Sequence, residues 1–147
     1  MTTLQFVPAA PADLPAVLDL LTASNLPHAG LTEHFGAAVV ARASEAVVGS
    51  AALELYGEAA LLRSVAVAER LRGQGIGREL TQAALDLARA HGVRRVYLLT
   101  TTAERYFASF GFAPIARAEV EPAVQASVEF TEACPASATV MALHLAG

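Results

Sequence analysis

The sequence predicts one mixed α/β domain built on a mostly antiparallel sheet with helices on both faces. Three observations carry this. A chain of 147 residues is about the size of one domain. Short apolar segments of strand length are interleaved with a long amphipathic helical segment. The links between the second, third and fourth of those segments hold only a few residues, too few for parallel crossovers. The expectation is therefore a single domain over residues 1–147, without repeat, linker or low-complexity segment.

Taken in order, Leu4 to Val7 reads as a first strand. Pro11 to Leu21 reads as a helix, with proline at its start and Leu14, Val17, Leu18 and Leu21 on one face. Ser24 to Gly30 is rich in turn residues and reads as a loop, followed by one helical turn over Leu31 to Phe35. Ala37 to Ala43, Ala46 to Tyr56 and Ala59 to Val67 form an antiparallel meander, turning at Ser44-Glu45 and Gly57-Glu58. Gly75 to His91 is the long helix, with Ile76, Leu80, Ala84 and Leu87 spaced for one face and Gly92 to end it. Arg94 to Thr100 reads as a strand, Ala103 to Phe110 as a helix and Phe112 to Arg117 as a strand. Glu121 to Phe130 then reads as a short helix and Ala138 to Leu145 as the last strand.

Composition narrows the function classes. The chain is 54% hydrophobic and 16% charged, far too apolar for a disordered chain. No run reaches the roughly 18 apolar residues needed to cross a bilayer. Met1-Thr2-Thr3 carries no basic flank, so no export signal is expected and the location is read as cytoplasmic, with no membrane partner. The single Cys134 excludes an internal disulfide framework and a multi-cysteine metal site, and no metal is expected. All ten basic residues are arginine, and eight lie between Arg63 and Arg105 against only four acids. The net charge is nonetheless −4. A globally acidic protein is a poor binder of nucleic acid, whereas a local basic zone suits one small polyanion.

That zone contains the strongest chemical signal. After the strand ending at Val67 come Arg72-Gly73-Gln74-Gly75-Ile76-Gly77-Arg78 and then the long helix. The first amides of a helix have no internal partner and point outward with the positive end of its dipole. Glycines let a ligand approach them closely. Strand, glycine turn and helix start make an anion pocket, with Arg72 and Arg78 beside it. The Lys-Ser/Thr of a P-loop is missing, and the hairpin-linked strands before the turn do not suit a dinucleotide-binding βαβ unit.

Arg72-x-x-Gly75-x-Gly77 resembles the (Gln/Arg)-x-x-Gly-x-(Gly/Ala) turn of the GNAT superfamily of acetyl-CoA-dependent N-acetyltransferases. Val65-Ala66-Val67 and Tyr106 to Phe112, ending in Gly-Phe, are similar to that family's strand and helix end. The resemblance covers most of the chain. It implies a sheet splayed between its fourth and fifth strands, with acetyl-CoA as cofactor and CoA as product. Gly73, Gly75, Ile76, Gly77 and Arg78 would hold the pyrophosphate through their amides, with Arg72 and Gln74 in the same turn. Backbone groups of Val65, Ala66 and Val67 would hold the pantetheine, and the Val65 or Val67 amide would face the developing oxyanion. Three segments, Leu62 to Val67, Tyr97 to Glu104 and Cys134 to Thr139, are similar to short acetyltransferases associated with arsenic-resistance operons.

The resemblance also exposes a departure. Where the family has its thiol-protonating tyrosine this chain has Phe107, and the tyrosine is one position earlier, at Tyr106. Neighbouring helix residues point about 100° apart, so Tyr106 either reaches the sulfur from a shifted helix or packs, leaving water as the acid. Glu54, amid apolar strand neighbours, is the candidate base, against a solvent-facing strand residue; Glu58 and Glu129 are weaker. Arg63 interrupts an apolar strand and needs an anion: either a substrate carboxylate, or Glu54 or Glu58 across the hairpin. Ser64, Asn25, Leu26 and Thr100 are placed at the acceptor, and Thr101 and Phe107 at the cofactor. Cys134 reads as a small hydrophobe, His28 as a weak acceptor contact, His34 and His144 as peripheral, and His91 as a helix-end residue.

The expected activity is acetyl transfer from acetyl-CoA to the primary amine of a small, amino-acid-like molecule, by direct attack in a ternary complex. The alternatives are a CoA-binding sensor of the same fold and a non-enzymatic dimerising module; a homodimer is left open.

Overall fold

The computed structural model describes residues 4–26, 28–101, 103–127 and 138–145. Within them the strands are β1 (Leu4–Pro8), β2 (Ala38–Ala43), β3 (Ala46–Tyr56), β4 (Ala59–Val67), β5 (Arg95–Thr100), β6 (Ala113–Ile115) and β7 (Thr139–His144). The helices are α1 (Leu14–Ala23), α2 (Leu31–His34), α3 (Ile76–Ala90), α4 (Glu104–Ala108) and α5 (Pro122–Gln125). One sheet runs β1-β2-β3-β4-β5-β7-β6. Every neighbouring pair is antiparallel except β4 and β5, which run parallel.

That parallel pair is short. It begins at Ala59↔Arg95 and ends at Leu61↔Tyr97, although β4 continues to Val67 and β5 to Thr100. The expected splay between the fourth and fifth strands is therefore present. No hairpin-length link could join these strands in parallel, and α3 fills the crossover.

Strand alternation sends neighbouring residues to opposite faces. Leu53, Ala60 and Leu62 join Ile76, Leu80, Ala84 and Ala88 of α3 in the larger core. Ala52 and Ala66 face the other way, against Val17 and Leu21 of α1 and Leu31 of α2. Ala59, Leu61 and Tyr97 pack with Val124 of α5. At Gly49 the Leu80 side chain of α3 packs directly on the bare backbone of β3. A Cβ there would stand 2.6 Å from the Leu80 Cδ1.

Several expected elements are shorter in the structure. The helix expected from Pro11 begins as a 3-10 turn, Pro11–Asp13, before α1. The helix expected over Ala103 to Phe110 is confined to Glu104–Ala108, because Gly111 takes φ +102 and turns the chain. The strand expected from Phe112 to Arg117 is only Ala113–Ile115. It lies at the sheet edge, where the missing N–H of Pro114 is tolerated, and a 3-10 turn follows at Arg117–Glu119. Of Glu121 to Phe130, Pro122–Gln125 is helical, and residues 128–130 lie outside the described residues. No described helix is long and apolar enough to cross a membrane.

Asp13 ties the start of α1 to β2. Its carboxylate accepts from the Ala10 amide at 2.7 Å and from both-oxygen contacts with Arg42 Nη2 at 2.6 and 2.7 Å. Burial alone would raise its pKa, but the Ala10 amide and the Arg42 guanidinium more than offset that and hold it below 3.8. A carboxylate depressed in the fold stabilises at pH above its unfolded value, and that stability is lost as pH falls through the folded value. Asp13→Asn is expected to lower unfolding stability at pH 7 by about 1–3 kcal/mol. The gap to wild type should close as urea titrations are repeated below pH 3.8.

Candidate active site

The chain leaves β4 through a 3-10 turn at Glu69–Leu71, passes Arg72 in extended conformation, and enters α3. Gly75 caps α3 with φ +82, a left-handed conformation that other residues adopt only with strain. No side chain hydrogen-bonds this cap, and the first amide to find a helical partner is that of Glu79, on the Gly75 carbonyl. The amides of Ile76, Gly77 and Arg78 thus stand at the positive end of a 15-residue helix. Gly77 permits close packing: a Cβ there would lie 3.2 Å from the Tyr106 hydroxyl and 3.6 Å from Val67 Cγ2.

Two arginines frame the turn. Arg72 donates through Nε to the Val67 carbonyl at 3.1 Å and through Nη2 to Ser24 Oγ at 3.1 Å, reaching the end of α1. Arg78 donates to Ser109 Oγ at 3.0 Å and lies 4.7 Å over the Phe110 ring.

A cavity of about 790 Å³ runs from this turn into the gap between β4 and β5. It brings together most of the residues singled out from sequence. Gly73, Gly75, Ile76, Gly77, Arg72 and Arg78 line the turn end, and Gln74 does not. Arg63, Ser64, Val65, Ala66 and Val67 line the β4 wall. Thr100, Thr101, Tyr106 and Phe107 line the β5–α4 wall, and Asn25 and Leu26 the loop after α1. Tyr106 is 36% exposed, whereas Phe107 is buried, stacked edge-on to Phe112.

The β4 wall carries a feature that periodicity did not reveal. Ser50 pairs with Ala66 and Ala52 with Arg63, so Ser64 and Val65 together oppose Ala51. This is a β-bulge, and Ser64 takes φ +59 within it. Val65 falls outside the register with β3 and lies beyond the last pair with β5. The bulge is held by polar groups: Ser50 Oγ donates to the Ser64 carbonyl at 2.8 Å and Arg63 Nε donates to Ser64 Oγ at 3.1 Å.

Glu54 is 0% exposed, which removes the solvent-facing alternative, and it does not line the cavity. Its Oε2 accepts from Arg63 Nη1 at 2.8 Å, and its Oε1 from the Tyr56 hydroxyl at 2.5 Å and Ser127 Oγ at 2.6 Å. Of the two readings of Arg63, the structure shows the hairpin ion pair with Glu54; the guanidinium also donates to the Ala29 carbonyl at 2.7 Å. Arg63 is 3% exposed. Burial, and next the adjacent Glu54 carboxylate, push the Tyr56 phenol up to about 12, so it remains a hydrogen-bond donor. Tyr56 and Ser127 were missed; an isolated hydroxyl two positions from a buried carboxylate on one strand was the available signal for Tyr56.

The remaining candidates are less central. His28 is exposed and hydrogen-bonded to Thr22 Oγ1 at 2.9 Å, Glu58 is an exposed turn residue, and His91 ends α3. Thr102, Glu129 and Cys134 lie outside the described residues. Among the described residues no three of His, Cys, Asp and Glu gather as a metal-holding group.

The profile of the acetyltransferase (GNAT) family matches residues 8–133. A search of curated proteins finds no match. N-acetylglutamate synthase from Neisseria gonorrhoeae, solved with coenzyme A and N-acetyl-glutamate, superposes with a TM-score of 0.85 at 20% identity over 100% of this chain. This chain spans only 36% of that one. Rv2747 from Mycobacterium tuberculosis, solved with CoA, gives 0.81 at 25% identity over 97% of this chain and 99% of that one. A GNAT-family acetyltransferase from Staphylococcus aureus gives 0.76 at 12% identity over 98% and 100%.

Removing one partner of a buried ion pair leaves an uncompensated charge, which costs more than the pair contributes. Glu54→Ala is expected to lower unfolding stability by about 3–5 kcal/mol in urea titrations. The double replacement Glu54→Leu with Arg63→Met should recover part of that loss.

Proposed function

Because the chain belongs to the acetyltransferase (GNAT) family, we propose that it transfers the acetyl group of acetyl-CoA to the primary amine of a small, amino-acid-like molecule. One observation carries the reading: the uncapped amides of α3 open onto the end of a cavity that runs between two parted strands. The residues suit the cofactor. A diphosphate needs donors and positive potential, which Ile76, Gly77 and Arg78 amides supply with Arg72 and Arg78 alongside. An amide-bearing arm needs a free strand edge, and among the described residues β4 pairs with no strand on its β5 side beyond Leu61. When bound, acetyl-CoA supplies a thioester, an acyl group already activated toward an amine.

The chain's own groups then have defined tasks. The cavity holds amine and carbonyl carbon together, and positioning of this kind supplies about 7–11 kcal/mol of barrier reduction. The Val65 amide, outside both strand registers, donates to the oxygen on which negative charge develops as the new C–N bond forms. As the C–S bond breaks, the Tyr106 hydroxyl in the cavity wall gives its proton to the sulfur. The proton shed by the amine passes to water, since Glu54 is sealed behind Arg63. Attack is direct, in a ternary complex.

An amino-acid-like acceptor is supported by the N-acetyl-glutamate held by the Neisseria protein and by the polar Ser64 in the cavity wall. The resemblance to arsenic-resistance acetyltransferases keeps amine-bearing arsenicals among the acceptors to be screened. Phe107 at the family's tyrosine position favours a second reading, a CoA-binding sensor of the same fold. Turnover of acetyl-CoA against a panel of amines, read as free thiol, decides between them: CoA binding with no thiol release on any amine supports the sensor.

Gly75→Glu places a carboxylate among the α3 amides; nothing lies within 4 Å of the added Cβ, though φ +82 strains any side chain there. CoA affinity in titration calorimetry is expected to fall at least about 100-fold, roughly the cost of a lost charge-assisted contact plus repulsion. Gly75→Asn, which tolerates left-handed φ without a charge, should bind nearly as wild type. Tyr106→Phe is expected to lower kcat by about 10²-fold with the KM for acetyl-CoA unchanged. An unchanged kcat would assign the proton to water.

A further inference from the structure

The polar groups beneath the β4 bulge form one continuous chain. Ser50 holds the Ser64 carbonyl, Arg63 holds Ser64 Oγ and the Ala29 carbonyl, and Glu54 holds Arg63. Tyr56 and Ser127 both donate to the Oε1 of Glu54, which directs its Oε2 to Arg63. Four separate pieces of backbone are therefore joined by the Glu54–Arg63 pair: β3, the bulge of β4, the loop after α1 and the segment following α5. Arg63 and Ser64 line the cavity, whereas Glu54, Tyr56 and Ser127 do not.

We propose that Glu54, oriented by Tyr56 and Ser127, is a positioning residue for the acceptor. It fixes Arg63, and through Arg63 both the Ser64 bulge and the loop at Ala29, so the acceptor's side of the cavity is shaped by two hydroxyls that no substrate touches. The acceptor half of this inference rests on the acetyl-transfer reading.

The physical argument is one of choices removed. A carboxylate with one committed oxygen can rotate, and a buried one will turn to whatever donors it has. Two hydroxyls on Oε1 leave a single orientation for Oε2, and hence a single place for the Arg63 guanidinium. Ser64 sits in a left-handed conformation that is uncommon for a non-glycine residue within a strand, and Arg63 and Ser50 hydrogen-bond it there. Loss of the hydroxyls releases the wall of the cavity without touching the α3 turn, which is built from other residues.

The test compares wild type with Tyr56→Phe, Ser127→Ala and the double variant. The double variant is expected to raise the acceptor KM at least tenfold, leaving kcat and the KM for acetyl-CoA within twofold. Ser127→Thr, which keeps the hydroxyl, should retain the wild-type acceptor KM. Hydrogen exchange followed by mass spectrometry should show the peptide carrying Ala29 and Leu31 exchanging at least tenfold faster in the double variant, while the α3 peptide is unchanged. A lowered melting temperature with unchanged acceptor KM and unchanged exchange at that peptide would overturn the proposal and leave the network a purely structural one. Should wild type bind CoA yet acetylate no amine, the transfer reading fails by itself, and the exchange comparison still decides whether the two hydroxyls hold the loop.

Discussion

Beyond Leu61 and Tyr97 the two central strands stop sharing hydrogen bonds, and the rest of the molecule is organised around what that parting leaves unsatisfied. Backbone donors and acceptors removed from water must find partners, so a gap in the middle of a sheet is stable only where it is wet or filled by a ligand. Here the gap opens into the cavity, which the start of α3 and the loop after α1 both line. The sheet survives the opening because its three initial β4–β5 pairs are flanked by long antiparallel ladders, β3 on one side and β7 on the other.

The same parting separates the two kinds of recognition. At the α3 end the determinants are main-chain amides, and what the sequence must supply there is the absence of side chains, at Gly75 and Gly77. Toward Arg63 the determinants are side chains, buried and interlocked. A fully satisfied buried network of side chains rigidifies its surroundings, whereas the main-chain amides at the helix start depend only on the backbone. A buried ion pair such as Glu54–Arg63 contributes little net stability over apolar replacements, but it commits its neighbours to a single arrangement.

These two halves were unequally legible in the sequence. Apolar spacing along Ile76, Leu80 and Ala84 exposed α3, and the glycines before it marked the turn that leads into it. The short links at Ser44-Glu45 and Gly57-Glu58 set the meander. Order along the chain and resemblance then placed the splay. The bulge was not legible, because Ser64 is no glycine and its left-handed φ is imposed by tertiary contacts with Arg63 and Ser50. Glu54 was read as a candidate base because its neighbours are apolar, which signals burial but not the direction a side chain faces. Its link to Ser127 spans 73 residues, and no local pattern encodes such a contact. The end of α4 was overextended because Phe110 continues the apolar pattern up to Gly111, where the chain turns, and β6 because a 3-10 turn at Arg117–Glu119 takes over after Ile115.

The missing side chain at Gly49 carries a consequence for a place it never touches. Leu80 seats on that bare backbone, and Ile76 begins the same helix four residues earlier, about 6 Å along its axis. The seat of the helix on the sheet is therefore set in part by an absent methyl group, since a Cβ at that position would press on Leu80 Cδ1 and stand 3.3 Å from the Ala66 carbonyl. A larger residue there would have to displace the Leu80 side chain, on the same helix whose first turn carries the Ile76–Arg78 amides.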